Sequence, residues 1–294
     1  MRIIGKISGI NTSDNLINLS VTDSNSNLYN LKISQEYAKF FAINDVFEFD
    51  VEEKVGERTQ YFINSYKSVL DFDFKEKNES LRSFYNAAPL SLDELEKLID
   101  NYLNAIKNNV IKEIAKKLID LYHDDYFLYP AATKMHHAYI GGLAYHSVSM
   151  LKLADGVIAA YPYLNRDYIY AGIMLHDIGK IKELSGIITP EYSAEGQLIG
   201  HLVLGAMEIR SMAEKLGYQD AEEALILEHM LISHHGMPQF GSAKKPLTAE
   251  ALVLWYVDSI DSKLRVLETE LEKIESGDFT QPIGVLDKQK MYKI

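Results

Sequence analysis

The residues best suited to chemistry in this chain are histidines and aspartates. The tightest group is Ile173-Met174-Leu175-His176-Asp177-Ile178-Gly179-Lys180, where an imidazole and a carboxylate stand side by side at the end of an apolar run. A neutral imidazole beside a carboxylate suits a divalent metal. Gly179 lets the backbone turn directly afterwards, and Lys180 adds a positive charge next to the pair. A His-Asp dipeptide arises readily by chance, so the other histidines carry the argument. His146, His201, the pair His234-His235 and Asp258 recur at intervals along the chain. Together with His176 and Asp177 they offer enough donors for two metal ions, with Asp177 placed to bridge. His123 lies in a polar segment and is set aside. His229 falls off the His234 face of its helix and reads as structural. Asp261, about one turn beyond Asp258, could hold a ligand imidazole in place, with a solvated helix carboxylate as the favoured reading.

Helices must bring these groups together. A helix is expected from about Leu143 to Ala160, carrying His146 in its first turn. Asn165 is placed to cap the next, which ends near Leu175 and delivers His176 and Asp177. Another follows Gly196 with His201 near its start, and one spanning roughly Ala221 to Ser233 ends in His234-His235-Gly236. The last long helix begins near Thr248 and carries Asp258. Ahead of them, Ser91-Leu92-Asp93-Glu94 is a capping-box signature. Leu95, Leu98, Ile99, Tyr102, Leu103 and Ile106 follow at helical spacing, and the stripe resumes at Val110 after a break at Asn108-Asn109. Successive helical units that each present a His or Asp near an end can focus them on one point.

The first 70 residues read differently. Arg2 to Ile10 reads as a strand, Asn11 to Asn15 as a turn, and Ile17, Leu19 and Val21 alternate with polar residues. Leu28 to Ile33 gives a third strand and Gln35 to Phe41 a short helix. Phe47 to Val51 and Gln60 to Ser65 complete five strands. That order is the order of an OB-fold barrel. Such barrels often bind single strands through aromatic and basic groups, which makes Tyr29, Lys6, Lys32, Lys54 and Arg58 the candidates here. The expected organisation is an all-β OB-fold-like domain over residues 1–70, a charged linker over 71–90, and a mainly α-helical domain over 91–294.

Composition narrows the function. The chain has 294 residues, of which 47% are hydrophobic, enough for a sizeable core. There is no cysteine, which excludes disulfides and thiolate metal sites and leads us to expect a reducing, cytoplasmic setting. No apolar run of about 18 residues marks a membrane span, and Met1-Arg2-Ile3-Ile4-Gly5-Lys6 reads as a strand rather than a signal peptide. A net charge of −12 disfavours tight, non-specific duplex binding, while metal ions in a site can supply the local positive charge that phosphates need.

The pattern resembles the HD superfamily of metal-dependent phosphohydrolases. His146, His176, Asp177 and Asp258 match its four defining positions, and His201, His234 and His235 match the further ligands of its two-metal members. Three flanking words resemble the bacterial YhaM-type 3′-to-5′ exoribonucleases: Tyr129-Pro130-Ala131-Ala132, His136-His137-Ala138-Tyr139-Ile140-Gly141-Gly142-Leu143 and Ser233-His234-His235-Gly236. The resemblance implies metal-assisted hydrolysis of single-stranded RNA, with single-stranded DNA as a further substrate. It points to two Mn ions, although imidazole-rich sites also suit Fe, Co or Zn. Asp177 would bridge and orient the attacking water, and Lys180 would contact the phosphate. His136 and His137 would contact RNA, with His137 a candidate to protonate the leaving oxygen. Lys244 and Lys245 lie in a Gly236–Pro246 loop that could guide a strand. Two other functions compete. One is hydrolysis of small nucleotides or cyclic dinucleotides, although the Gly-Tyr-Pro word of the cyclic-dinucleotide branch does not follow His234-His235. The other is a non-catalytic single-strand-binding protein. No membrane partner is expected, and exposed helices leave homo-oligomer formation open.

Overall fold

The computed structural model describes residues 1–13, 15–55, 59–132 and 139–294. The chain divides into two compact units, Met1–Asn86 and Ala87–Ile294. The first contains β1 (Arg2–Ser13), β2 (Leu16–Asp23), β3 (Leu28–Ser34), β4 (Val46–Lys54) and β5 (Gln60–Ser68), with a 3-10 turn at Gln35–Phe40. The strands close into a barrel in the order β1-β2-β3-β5-β4, with β3 and β5 parallel. Period-two alternation drives the closure. In β2, Ile17, Leu19 and Val21 are fully buried while the residues between them face outward. Ile7, Leu31 and Phe49 fill the same core.

Two sequence expectations need correcting. The first strand does not stop at Ile10 but runs to Ser13, which pairs with Leu16, because backbone ladder bonds need no apolar side chain. The segment read as a linker contains α1 (Phe74–Phe84), capped by Asp73 and grouped with the barrel in one unit. Its charged composition hides a narrow buried stripe at Asn78 and Leu81.

In the second unit, α2 (Leu92–Ala105) starts on a full capping box made by Ser91 and Glu94. Asn108 caps α3 (Asn109–Leu121), and α4 (His123–Leu128) follows. Then come α5 (Gly142–Ala160), α6 (Arg166–Leu175) and the single turn α7 (Lys180–Glu183). A two-residue hairpin, β6 (Leu184–Ser185) with β7 (Glu191–Tyr192), leads to α8 (Ala194–Leu198), α9 (His201–Leu216) and α10 (Glu222–Ser233). After a 3-10 turn at Pro238–Phe240, α11 (Ala249–Leu271) runs from its Thr248 cap. The tail folds back through bridges Phe279↔Tyr292 and Ile283↔Gln289, and Lys293 Nζ donates to the carbonyls of Leu271 and Ile274 at the end of α11. No helix among the described residues is long and apolar enough to cross a membrane.

Helix α6 is the axis of this unit. Every residue from Ile169 to Leu175 is buried, and α2, α3, α5, α10 and α11 all pack against it. A helix apolar all round must sit inside. Each large aliphatic side chain fully buried there contributes about 1.5–3 kcal/mol. At its start Asn165 accepts the Asp167 N–H at 3.1 Å, and the Asp167 carboxylate accepts the N–H groups of Lys107 at 2.9 Å and Asn108 at 2.8 Å ahead of α3. Beyond its end, Gly179 lies against α9: a Cβ there would stand 2.2 Å from the His201 carbonyl oxygen and 2.7 Å from the Gly205 nitrogen.

Backbone cannot move aside as a side chain can. Gly179→Ala is therefore expected to destabilise by about 1–3 kcal/mol. Gly172→Ala should cost less, because its added methyl meets the flexible end of Met230. Urea denaturation of both variants checks this; an equal or reversed order would refute the backbone contact as a constraint.

Candidate metal centre

Five helices deliver the donors. His146 lies one turn into α5, His176 and Asp177 follow the end of α6, His201 opens α9, His234 and His235 follow α10, and Asp258 and Asp261 lie on α11. Three sets have donor atoms within 4.8 Å of one another and could hold a metal: His146 with His176 and Asp258, His176 with Asp177 and His234, and His201 with His234 and His235. The sets overlap, so the donors form one continuous centre. Adjacent rings approach to 5.2 Å between His146 and His176, 5.0 Å between His176 and His234, and 5.2 Å between His201 and His235.

Each imidazole is fixed through Nδ1. His176 Nδ1 donates to the Ile173 carbonyl at 2.8 Å, His234 Nδ1 to the Leu231 carbonyl at 2.7 Å, and His235 Nδ1 to the Phe240 carbonyl at 2.8 Å. A carbonyl only accepts, so these rings carry hydrogen on Nδ1, which leaves Nε2 as the nitrogen that can offer a lone pair to a ligand. Carboxylates take the same place for the other two. His201 Nδ1 is 2.9 Å from Glu183, and His146 Nδ1 is 2.7 Å from Asp261. Outer partners of this kind orient ligating imidazoles in metal sites.

The fit to a metal can be read from atoms left over. His176 Nε2, His201 Nε2, His234 Nε2 and Asp177 Oδ1 are buried without a hydrogen-bond partner. Buried polar atoms normally find partners, and three imidazole lone pairs facing a carboxylate oxygen cannot satisfy one another without a cation. Asp177 faces both sides of the centre. Its Oδ2 is 3.1 Å from His176 Nε2, and its Oδ1 is 3.5 Å from His201 Nε2 and 3.8 Å from His234 Nε2. Imidazole and carboxylate donors without thiolate suit a divalent transition metal.

The electrostatics favour the ligating form of Asp177, Asp258, His234 and His235. Burial opposes charge on Asp177, yet His176 and Lys180 outweigh it and hold the carboxyl well below the usual range. Asp258 shows the same balance, with His146 as its main partner. Burial pushes the His234 imidazole far down, and the neighbouring His235 and His176 add to this. His235 is lowered by burial and by His201. His146 differs: burial would lower it, but Asp258 and Asp261 on either side lift it to about 9. Lys180 is not the solvated helix-end residue its position might suggest. Its side chain is 16% exposed and its Nζ lies 2.7 Å from Asp177 Oδ2.

A cavity of about 680 Å³ opens over the centre, with His146, Asp177, Lys180, His201, His235 and Asp258 in its wall. Lys244 and Lys245 are exposed and are not among the residues lining it. His136 and His137 lie outside the described residues, as does Arg58. Tyr29 and Lys32 belong to the barrel unit. Tyr29 is half-buried on the barrel core, edge-on to Tyr61, and donates to Asp23 at 3.3 Å. Lys32 donates to Gln60 at 3.0 Å, and both it and Lys54 lie over the Phe62 ring. Lys6 donates to the Phe84 carbonyl at 3.4 Å. His123 is half-buried and pairs with Glu96, and His229 Nε2 accepts the Leu247 N–H at 2.9 Å.

Two residues gain importance from the structure. Asp261 is buried against His146 rather than solvated; its spacing of three from Asp258 was the available signal. Glu183 accepts both the Nδ1–H and the backbone N–H of His201, and no local sequence pattern marks it. Glu183→Ala and Asp261→Ala are each expected to weaken divalent-metal affinity by roughly 10–100-fold. Calorimetric titration of Mn into folded, chelator-stripped protein tests this, and an unchanged affinity in both would discount the outer partners.

The sequence from residue 143 to 263, which spans all these donors, matches the HD domain family model. Relatives named 3′-5′ exoribonuclease YhaM match over most of the chain. The protein of Bacillus licheniformis is 42% identical over 217 residues, covering 74% of this chain and 69% of the relative. That of Bacillus subtilis is 39% identical over 236 residues, covering 80% and 74%. That of a Geobacillus species is 44% identical over 210 residues, covering 71% of this chain and 64% of the relative. With an HD domain carrying the donors and this identity across both chains, the protein belongs to the family of YhaM-type 3′-5′ exoribonucleases.

Proposed function

We propose that this protein is a metal-dependent exonuclease that hydrolyses the phosphodiester bonds of single-stranded RNA from the 3′ end, with single-stranded DNA as a secondary substrate. The observation that carries the proposal is the set of orphaned buried atoms, three imidazole nitrogens and one carboxylate oxygen, beneath an open cavity. The relatives' name supplies the substrate and the direction. His146, His176 and Asp258 would hold one ion and His201, His234 and His235 a second, with Asp177 between them; we expect Mn. When bound, such ions supply the Lewis acidity that makes water a nucleophile near neutral pH and that stabilises charge on phosphate oxygens.

The chain's own residues do the rest. The Nδ1 tethers keep each imidazole aimed without reorganisation, which is how preorganised sites gain rate. Asp177, held ionised, can orient the attacking water, and Lys180 places a cation at the cavity wall for a phosphate oxygen. Purified protein with a 5′-labelled single-stranded RNA is expected to give a descending ladder with Mn and none after chelation. Asp177→Ala should keep its circular dichroism spectrum and lose more activity than the roughly 10–100-fold that follows loss of an outer partner. Retention of most activity in that variant with Mn added would sink the shared-carboxylate assignment.

A further inference from the structure

The cavity wall carries two unlike sets of side chains. Beside Asp258, α11 contributes Ser259, Ser262 and Lys263. Beside His201 and His235 stand two large aromatic rings, Tyr192 and Phe240, which line the cavity yet remain 54% and 62% exposed. Neither ring hangs from a loose segment. Tyr192 is in β7, paired with Leu184, and the next residue returns to the catalytic unit through Ser193 N–H to the Glu183 carbonyl at 2.9 Å and Ser193 Oγ to the Lys182 carbonyl at 2.7 Å. Glu183 in turn orients His201. Phe240 ends a 3-10 turn closed by its own N–H to the Met237 carbonyl at 2.9 Å, and its carbonyl accepts from His235 Nδ1. The Phe240 backbone is thus one hydrogen bond from His235, and Tyr192 is joined to His201 through Ser193 and Glu183.

Trp255 also lines the cavity but serves a different purpose. It stacks on Tyr256 at 5.0 Å and 15°, and the Gly236 backbone lies so close that a Cβ there would stand 2.0 Å from the indole. Trp255 is thus half-buried and held on one face, which makes Tyr192 and Phe240 the more exposed aromatic rings in the wall. No Asn or Gln is among the described residues lining the cavity.

We infer that Tyr192 and Phe240 form a stacking platform for the nucleobase of the terminal nucleotide, with the phosphate lying toward Lys180 and Lys263. This rests on the exonuclease reading and adds that the site grips a base as well as a phosphodiester, without regard to its identity. Every nucleobase has a π-face, and such stacking tolerates any sequence. Lys263, exposed and without an ion-pair partner among the described residues, is available to a phosphate oxygen.

The test compares kcat/KM on two 5′-labelled RNAs that differ only in the 3′-terminal nucleotide, one with its base and one abasic. The native protein is expected to prefer the base-bearing end by about 5- to 100-fold, the range that base–aromatic stacking supports. In Tyr192→Ala and Phe240→Ala that preference should shrink toward unity, whereas Tyr192→Phe and Phe240→Tyr should keep it. An undiminished preference in both alanine variants, or equal rates on the two RNAs with native protein, overturns the platform. If native protein degrades neither RNA, the exonuclease reading fails separately. Calorimetric binding of AMP against ribose 5-phosphate then decides the platform: a similar preference for AMP, lost in the alanine variants, supports it, and equal affinities refute it.

Discussion

An ionised carboxylate held inside the protein is the constraint on which this structure turns. Asp177 is 3% exposed at the end of a helix buried on every side. Removing a lone charge from water costs several kcal/mol even after relaxation, so the surroundings must answer it. Lys180 does so directly from the next turn, while His176, His201 and His234 bring their Nε2 atoms to 3.1, 3.5 and 3.8 Å from the carboxylate. Those partners satisfy only part of the demand. The rest falls on lone pairs that face one another across the centre, and this turns a packing problem into a site for a cation.

The imidazoles meet that demand because their rotation is already fixed. Backbone carbonyls three residues earlier hold His176 and His234, an arrangement that follows from placing a histidine just after a helix end. His201 and His146 lack such a carbonyl and use Glu183 and Asp261. The bundle therefore contributes more than proximity. Helix ends supply acceptors of known direction, and the remaining rings borrow a carboxylate from a neighbouring element.

Much of this was legible in the sequence where one rule acted locally. The caps at Ser91 and Asn165 and the helix start at Thr248 stand where the sequence places them. The alternation of Ile17, Leu19 and Val21 gives the barrel face, and the His and Asp positions converge as helix phase implies. What escaped depends on tertiary context. Glu183 and Asp261 look like ordinary helix carboxylates until the folded chain brings an imidazole to each. α1 hides in a charged segment because only a narrow stripe of it is buried. Exposed aromatics such as Tyr192 and Phe240 carry no periodic signature, since no core face selects them.

The contact of Gly179 with α9 has a consequence for how the centre tolerates change. The nearest neighbours of its missing side chain are main-chain atoms of His201 and Gly205. The separation between the end of α6 and the start of α9 is therefore gauged by peptide groups, whose dimensions are the same in every sequence. Substitutions that swell or shrink the apolar interior can drift without dragging Asp177 away from His201. The spacing at this end of the centre is set by main-chain contact and not by the volume of any side chain.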